Sequence, residues 1–190
     1  MKPVGIFYAT REGQTRRIAE RLASDFRARG LDAEIRNVAD RPDEIDLNEF
    51  GFALVAASVH AGAHENEMIR FVKKHRGQLE RMPAAFISVT LSEAGAERAD
   101  ATPAERARFE ADVQGVIDAF VQKTGWHPRR VKPVAGALLY TQYNFLIRFV
   151  MKRIARKAGA ATDTSRDYEY TDWLALDRFV DELAGELAAA

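Results

Sequence analysis

The 190-residue chain contains no cysteine. That excludes a disulfide framework, a thiolate nucleophile and any Cys-ligated metal. No apolar run reaches transmembrane length, and Met1-Lys2-Pro3 leads straight into an apolar strand rather than a signal sequence. A cytoplasmic protein is expected. Repeats, low-complexity tracts and linkers are missing too, so residues 1–190 are expected to form one domain with a sizeable core. Net charge is also lacking, because 28 Lys+Arg balance 28 Asp+Glu. The balance hides an asymmetry. Between Leu139 and Thr162 lie five basic residues (Arg148, Lys152, Arg153, Arg156 and Lys157) and no acid. A basic segment therefore sits on a mildly acidic body.

What is there begins with Phe7 to Thr15, FYATREGQT. An apolar run, Val4 to Ala9, stops at Thr10-Arg11-Glu12-Gly13-Gln14-Thr15. A helical pattern follows at once, with Ile18, Leu22 and Phe26 on one face and Gly30 as a stop. Strand, short polar loop and helix make a phosphate site: the first helical turn presents unpaired N–H groups, and the dipole adds partial positive charge. Thr10 and Thr15 can add hydroxyl donors, and Gly13 lets the backbone come close to an anion. The Lys of the NTPase phosphate loop is missing, and so is G-x-G-x-x-G. The stretch resembles the T-x-T-G-x-T loop that holds the FMN phosphate in flavodoxins, with Glu12 where a Thr is usual. An ordinary capped turn is the other reading.

Farther along, Ala33 to Val38 alternates like a half-exposed edge strand, and Arg41-Pro42-Asp43 breaks the chain. Phe52 to Ala57 and Ala84 to Val89 are continuous apolar runs, as in strands buried on both faces. Ser58 to His64 reads as a small-residue loop, Asn66 to His75 as a helix, and Ser88 to Ser92 as a loop into a polar stretch that runs to Ala101. Thr102-Pro103-Ala104-Glu105 starts a helix by cap, Pro and capping box, and Gly125 ends it. Val131 to Leu138 is a last strand, and its Pro133 places it at a sheet edge. Asn144 to Ala158 is a basic helix with an apolar stripe of Ile147, Val150, Met151, Ile154 and Ala158, closed by Gly159. Asp163 to Tyr170 is a loop or short strand. Thr171 or Asp172 caps a final helix.

Alternating strands and helices imply an α/β three-layer sandwich. Five parallel strands suit the flavodoxin-like order 2-1-3-4-5, with the basic helix inserted after strand 5, at about 140–168. Ligands in such sheets bind at the carboxyl ends of the strands, beside the switch point. Three loops meet there. They make Thr10, Arg11, Glu12, Gly13, Gln14, Thr15, Ser58, Val59, His60, Ala61, Thr90, Leu91 and Ser92 the expected FMN contacts.

Flavodoxins usually sandwich the flavin ring between aromatic side chains. Here Ser58–His64 offers only His60 and His64, and Thr90–Ser92 offers no aromatic. Tyr140 or Tyr143 would supply a wall instead, or would simply pack under the basic helix. His60 is the candidate proton-handling residue, against the alternative of a solvated loop side chain. Two histidines are too few for a metal site. The basic helix has three readings: a solvated face, a membrane-surface helix carrying Phe145 and Phe149, or a clamp for substrate carboxylates. The acidic remainder argues against nucleic acid. Tyr140, Tyr143, Phe145, Arg148, Phe149, Lys152 and Arg156 are the expected contacts to substrate or membrane.

TREGQTRRIA (Thr10–Ala19), FVKKH (Phe71–His75), MPAAFISVTL (Met82–Leu91), AGALLY (Ala135–Tyr140) and TDT…YTDW (Thr162–Trp173) together resemble the quinone-dependent protoporphyrinogen dehydrogenases of bacterial haem biosynthesis. The resemblance covers nearly the whole chain and includes the basic insertion. It implies FMN held without covalent attachment. It also implies oxidation of protoporphyrinogen IX to protoporphyrin IX, with electrons passed to a membrane quinone (menaquinone or ubiquinone). It further implies peripheral contact with the inner face of the cell membrane. The rivals are a flavodoxin that carries electrons between soluble partners, and a flavin-free module of the same fold. Electron carriers of that kind are usually strongly acidic, which this chain is not.

Overall fold

A computed structural model of the chain describes residues 2–40, 44–157 and 160–189. The break read at Arg41-Pro42-Asp43 and the helix end read at Ala158 and Gly159 lie outside the described residues, as do the side chains of Ile147 and Lys157.

Five parallel strands form the central sheet: β1 (Val4–Ala9), β2 (Ala33–Asn37), β3 (Phe52–His60), β5 (Ala84–Thr90) and β6 (Arg130–Ala135). Their order is β2-β1-β3-β5-β6, the 2-1-3-4-5 pattern. A short antiparallel strand, β4 (Ala63–His64), adds a sixth by pairing with the end of β3. The alternating β2 and the Pro-bearing β6 fall at the two edges. There Pro133 needs no ladder partner on its outer side.

Side-chain alternation along β1 explains the layers. Ile6 and Tyr8 face α1 (Gln14–Ala28) and α6 (Trp173–Ala189), in a core with Ile18, Leu22, Phe26, Leu176, Val180 and Leu183. Phe7 and Ala9 face the other way, into a core with Phe71 and Val72 of α2 (Asn66–Leu79) and Phe120 of α4 (Pro103–Thr124). Phe86 and Phe120 stack with centroids 4.4 Å apart. The capping box at Thr102 and Glu105 forms as read, and Gly125 ends α4 at φ 70°.

The structure departs from the sequence reading in four places. Ser58–His64 is not an open loop. β3 runs on to His60, turns at Ala61 (φ 49°) and Gly62 (φ 79°), and pairs back through His60↔Ala63. Two successive residues at positive φ make the tight hairpin that keeps these small side chains in a ladder. Leu91 and Ser92 are likewise not loop. Thr90 caps a short helix, α3 (Leu91–Ala96), and its Oγ1 accepts from Ser92 N at 3.1 Å.

The last strand stops at Ala135. After Gly136 the chain leaves the sheet and forms β7 (Ala137–Leu138), which pairs antiparallel with β8 (Tyr168–Glu169). The fourth departure is α5 (Phe145–Lys157). Its apolar stripe is not packed away: Val150 is 47% and Ile154 38% exposed, and the helix instead seats its Ala155 edge, with Met151, on the segment's own small core. That core contains Leu138, Tyr140 and Tyr143.

Candidate flavin site

The end of β1 delivers a loop that is already shaped. Thr10 Oγ1 accepts from Gly13 N at 3.0 Å, and Gly13 sits at φ 93°, a conformation an L side chain resists. A Cβ added at Gly13 would meet nothing within 4 Å, so the backbone there borders open space. Thr15 follows in the first turn of α1. Its Oγ1 is fully buried and has no hydrogen-bond partner among the described residues. A buried hydroxyl without a partner costs about 1–3 kcal/mol, and one at a helix N-terminus is satisfied by an anion. The orphaned hydroxyl, the first-turn N–H groups and the left-handed glycine together fit a phosphate.

The cleft that opens here is lined by Thr10, Glu12 and Thr15 from the first loop, Ser58 and His60 from β3, and Thr90 and Leu91 from the β5–α3 junction. Of the residues read from sequence as FMN contacts, Gln14 and Val59 also line it. Arg11, Gly13, Ala61 and Ser92 border the same loops without lining the cleft. The Arg11 side chain turns away to Glu65 Oε2 at 3.1 Å. The enclosed volume is about 50 Å³. That suits a phosphate-sized group and leaves a flat ring to the open rim.

Glu12, the departure from the flavodoxin loop, does not point a charge at this phosphate position unopposed. Its Oε2 accepts from the Tyr143 hydroxyl at 2.6 Å, and its Oε1 lies 3.7 Å from His60 Nε2. Burial and the adjacent Glu12 carboxylate push the Tyr143 hydroxyl well above its ordinary range, so it stays a donor. Gln14 makes a second tie, donating from Nε2 to Glu169 Oε1 at 2.7 Å and to Thr171 Oγ1 at 2.9 Å.

The aromatic wall is corrected. Tyr140 is fully buried, donates to Ala161 O at 2.8 Å and packs edge-on against Tyr143 and Tyr168. It cannot reach a substrate or a membrane. Tyr143 is 6% exposed and serves the loop through Glu12. His64 is corrected as well. It lies under Phe86 and Phe120, bonded to Ser88 Oγ at 2.9 Å, and burial, helped by Lys123, lowers its pKa to about 4. It is a neutral core residue.

On α5, Phe145 (85%) and Phe149 (64%) are the most exposed large apolar side chains among the described residues, and Phe149, Lys152, Arg153 and Arg156 line one open groove. Arg148 is drawn inward, donating to Tyr143 O at 3.1 Å.

Sequence reasoning missed Glu65, Val89, Gly136, Ala137 and Met151, and Val89 lines the cleft from the end of β5. Met151, Gly136 and Ala137 help line the cleft. Glu65 is nearly buried beside it, at the start of α2. A carboxylate just before a helix was the available signal.

Residues 5–165 match the flavodoxin-domain family. A protoporphyrinogen IX dehydrogenase [quinone] of Escherichia coli (strain K12) is 35% identical over 94% of this chain and 93% of its own length. The chain belongs to the protoporphyrinogen IX dehydrogenase [quinone] family. A family member from Leishmania major is 32% identical over 94% of this chain and 73% of that protein. Among solved structures, oxidised flavodoxin 1 from Bacillus cereus superposes with a TM-score of 0.53 at 13% identity, covering 96% of this chain and 97% of its own. That likeness establishes the fold. The identity to family members extends the relation through the 137–169 segment, because a match over 94% of the chain cannot skip it.

Proposed function

We propose that this protein oxidises protoporphyrinogen IX to protoporphyrin IX and passes the electrons to a quinone, using FMN. The observation that carries the reading is the match, over nearly the full length and through α5, to dehydrogenases of that name. The flavin supplies the redox chemistry, and the protein binds, orients and shields it. The loop from Thr10 to Thr15 holds its phosphate, with Thr15 Oγ1 as the buried donor. Ser58, His60, Thr90 and Leu91 border its ring. The choice of FMN rests on the likeness of the Thr10–Thr15 loop to the flavodoxin phosphate loop and on the flavodoxin-domain match.

In this reading residues 1–190 form a single domain, and α5 is its working attachment. Phe145 and Phe149 are large, apolar and exposed, and Lys152, Arg153 and Arg156 lie among them. Such a surface suits the boundary between water and an anionic leaflet, where each cation contributes roughly 1 kcal/mol. A quinone is reached there, and the same cations suit the propionates of the substrate.

The test is an anaerobic assay with protoporphyrinogen and a soluble quinone, read as porphyrin fluorescence, with flavin identified by absorbance after release. Formation of porphyrin above the enzyme-free rate, with FMN bound, is expected. An FMN-loaded protein with no such rate would be an electron carrier instead.

A further inference from the structure

Each two-electron oxidation of a porphyrinogen removes two electrons and two protons. A quinone that takes both electrons takes up two protons and becomes a quinol. Where one hydrogen leaves with the electron pair as hydride, the other leaves the bound ring as a proton, and a side chain at the cleft would take it up and return it when the quinone is reduced. Among the described residues that line this cleft, Glu12 is the one carboxylate and His60 the one imidazole.

We propose that His60 is the proton acceptor of this cleft, that Glu65 positions it, and that Glu12 connects it to solvent. The inference rests on the function proposed above.

His60 Nε2 lies 3.7 Å from Glu12 Oε1 and 3.7 Å from Glu65 Oε1, so a proton on that nitrogen faces two carboxylates. Opposite charges at that range attract strongly in a poorly solvated site. The two carboxylates differ in surroundings. Glu65 is only 5% exposed and pinned, by Arg11 Nη2 at 3.1 Å and by Ser58 Oγ at 3.4 Å. It is a fixed counter-charge. Glu12 is 21% exposed, and its other oxygen is held by the Tyr143 hydroxyl. It has a path to water that Glu65 lacks.

The imidazole itself is 20% exposed and lines the cleft, and its backbone is anchored by the hairpin pair His60↔Ala63. Around it stand Arg11 and Glu12 from the first loop, Glu65 from the start of α2, and Tyr143 from the segment before α5. The one cation among them is already paired with Glu65. Glu12 is the poorer first acceptor, because carboxylates are weak bases at neutral pH and one of its oxygens is engaged. Imidazole is the side chain whose ordinary range matches the task.

Two measurements test this, each on variants kept saturated with FMN. The first is the pH profile of turnover with protoporphyrinogen and soluble quinone. His60→Gln should lose ten- to hundredfold in kcat and lose the acid limb of the profile. His60→Ala should be partly restored by added imidazole. Glu12→Gln, which keeps an acceptor for Tyr143, should lose about three- to tenfold in kcat with KM little changed. The second is the midpoint potential of the bound flavin against pH, without substrate or quinone. The wild-type curve should carry an inflection that His60→Gln abolishes. Turnover within twofold of wild type in His60→Gln, or a potential curve with the same inflections, overturns the proposal. A wild-type protein that holds FMN but does not oxidise protoporphyrinogen defeats the proposed function instead, and the potential curves then still decide on His60.

Discussion

The Tyr143 hydroxyl donates to Glu12 Oε2 across 2.6 Å, joining residues 131 positions apart. It fastens the segment that carries α5 to the loop that holds the phosphate. Tyr143→Phe removes the donor and leaves a half-buried carboxylate without it. A loss of about 1–3 kcal/mol is expected, read as a lower unfolding midpoint in denaturant. Proteolysis between β7 and β8 should become faster in the same variant.

Thr15 provides a direct test of the phosphate position. Thr15→Val keeps the shape and removes the hydroxyl, so FMN affinity should fall about tenfold, the equivalent of about 1.4 kcal/mol. Thr15→Glu adds repulsion and bulk and should abolish binding. Titration of apoprotein by flavin fluorescence quenching distinguishes the two. Unchanged affinity in Thr15→Glu would place the phosphate elsewhere.

Charge reversal at Lys152 and Arg156 should leave FMN affinity and the unfolding midpoint as they are. Sedimentation with anionic vesicles should fall about tenfold per reversed residue, with the effect largest at low salt. Wild-type protein that stays in the supernatant with anionic vesicles would defeat the membrane role of α5.

Acid stability should show two opposing contributions. Burial lowers the His64 pKa to about 4, below the ordinary imidazole value of about 6.5. The unfolded chain then binds the extra proton between those values, so His64 makes stability fall as pH drops from about 6.5 to 4. Glu93 does the reverse. Burial first, then Glu97, raises it to about 7, with Lys132 opposing. The folded state binds that proton more tightly, so stability falls as pH rises from about 4.5 to 7. The two slopes overlap and oppose each other. Between about pH 5 and 6.5 the His64 and Glu93 contributions should largely cancel in the parent, with Glu97, also raised by burial, adding to the Glu93 side. Glu93→Gln should make it climb with pH, and His64→Gln should make it decline. Urea midpoints across that window check both signs.

Removing the cap of α4 by Thr102→Ala should cost about 1 kcal/mol, because Thr102 Oγ1 accepts from Glu105 N and the Glu105 carboxylate returns the bond to Thr102 N. Helical circular dichroism on thermal unfolding measures it.

The sheet was legible because its signals are local. Phe52–Ala57 and Ala84–Val89 are apolar on both faces, and the edge strands announce themselves by alternation and by Pro133. The phosphate loop was legible for the same reason, since strand, Gly13 and helix follow one another directly. The hairpin after Ser58 was not, because VHAGAH offers side chains too small to show a strand period, and its turn depends on Ala61 taking a positive φ. α3 escaped because six residues cannot display a helical stripe. The burial of Tyr140, the tie from Tyr143 to Glu12 and the approach of Glu65 to His60 depend on contacts between distant residues, which periodicity does not encode. On α5 the sequence pattern put Val150, Met151 and Ile154 on one stripe, of which Met151 packs while Val150 and Ile154 stay exposed. Which edge of it meets the rest of the molecule was set by the small side chain of Ala155, which lets the helix come close.

The bend at Gly136 has a wider consequence. Where the chain leaves the sheet, Tyr170 N donates to Gly136 O at 3.1 Å, and Thr171 Oγ1 donates to Ala135 O at 2.8 Å. The two stems of the excursion therefore touch, so the segment leaves the sheet and rejoins it at one neck, while Tyr143 and Glu169 tie its body to the Thr10–Thr15 loop and α1. Joining the stems by a short turn would demand little loop-closure entropy. A shorter or longer segment closed at the same neck would leave β6 and α6 in their places, so the excursion adds a surface to the fold without rebuilding its sheet.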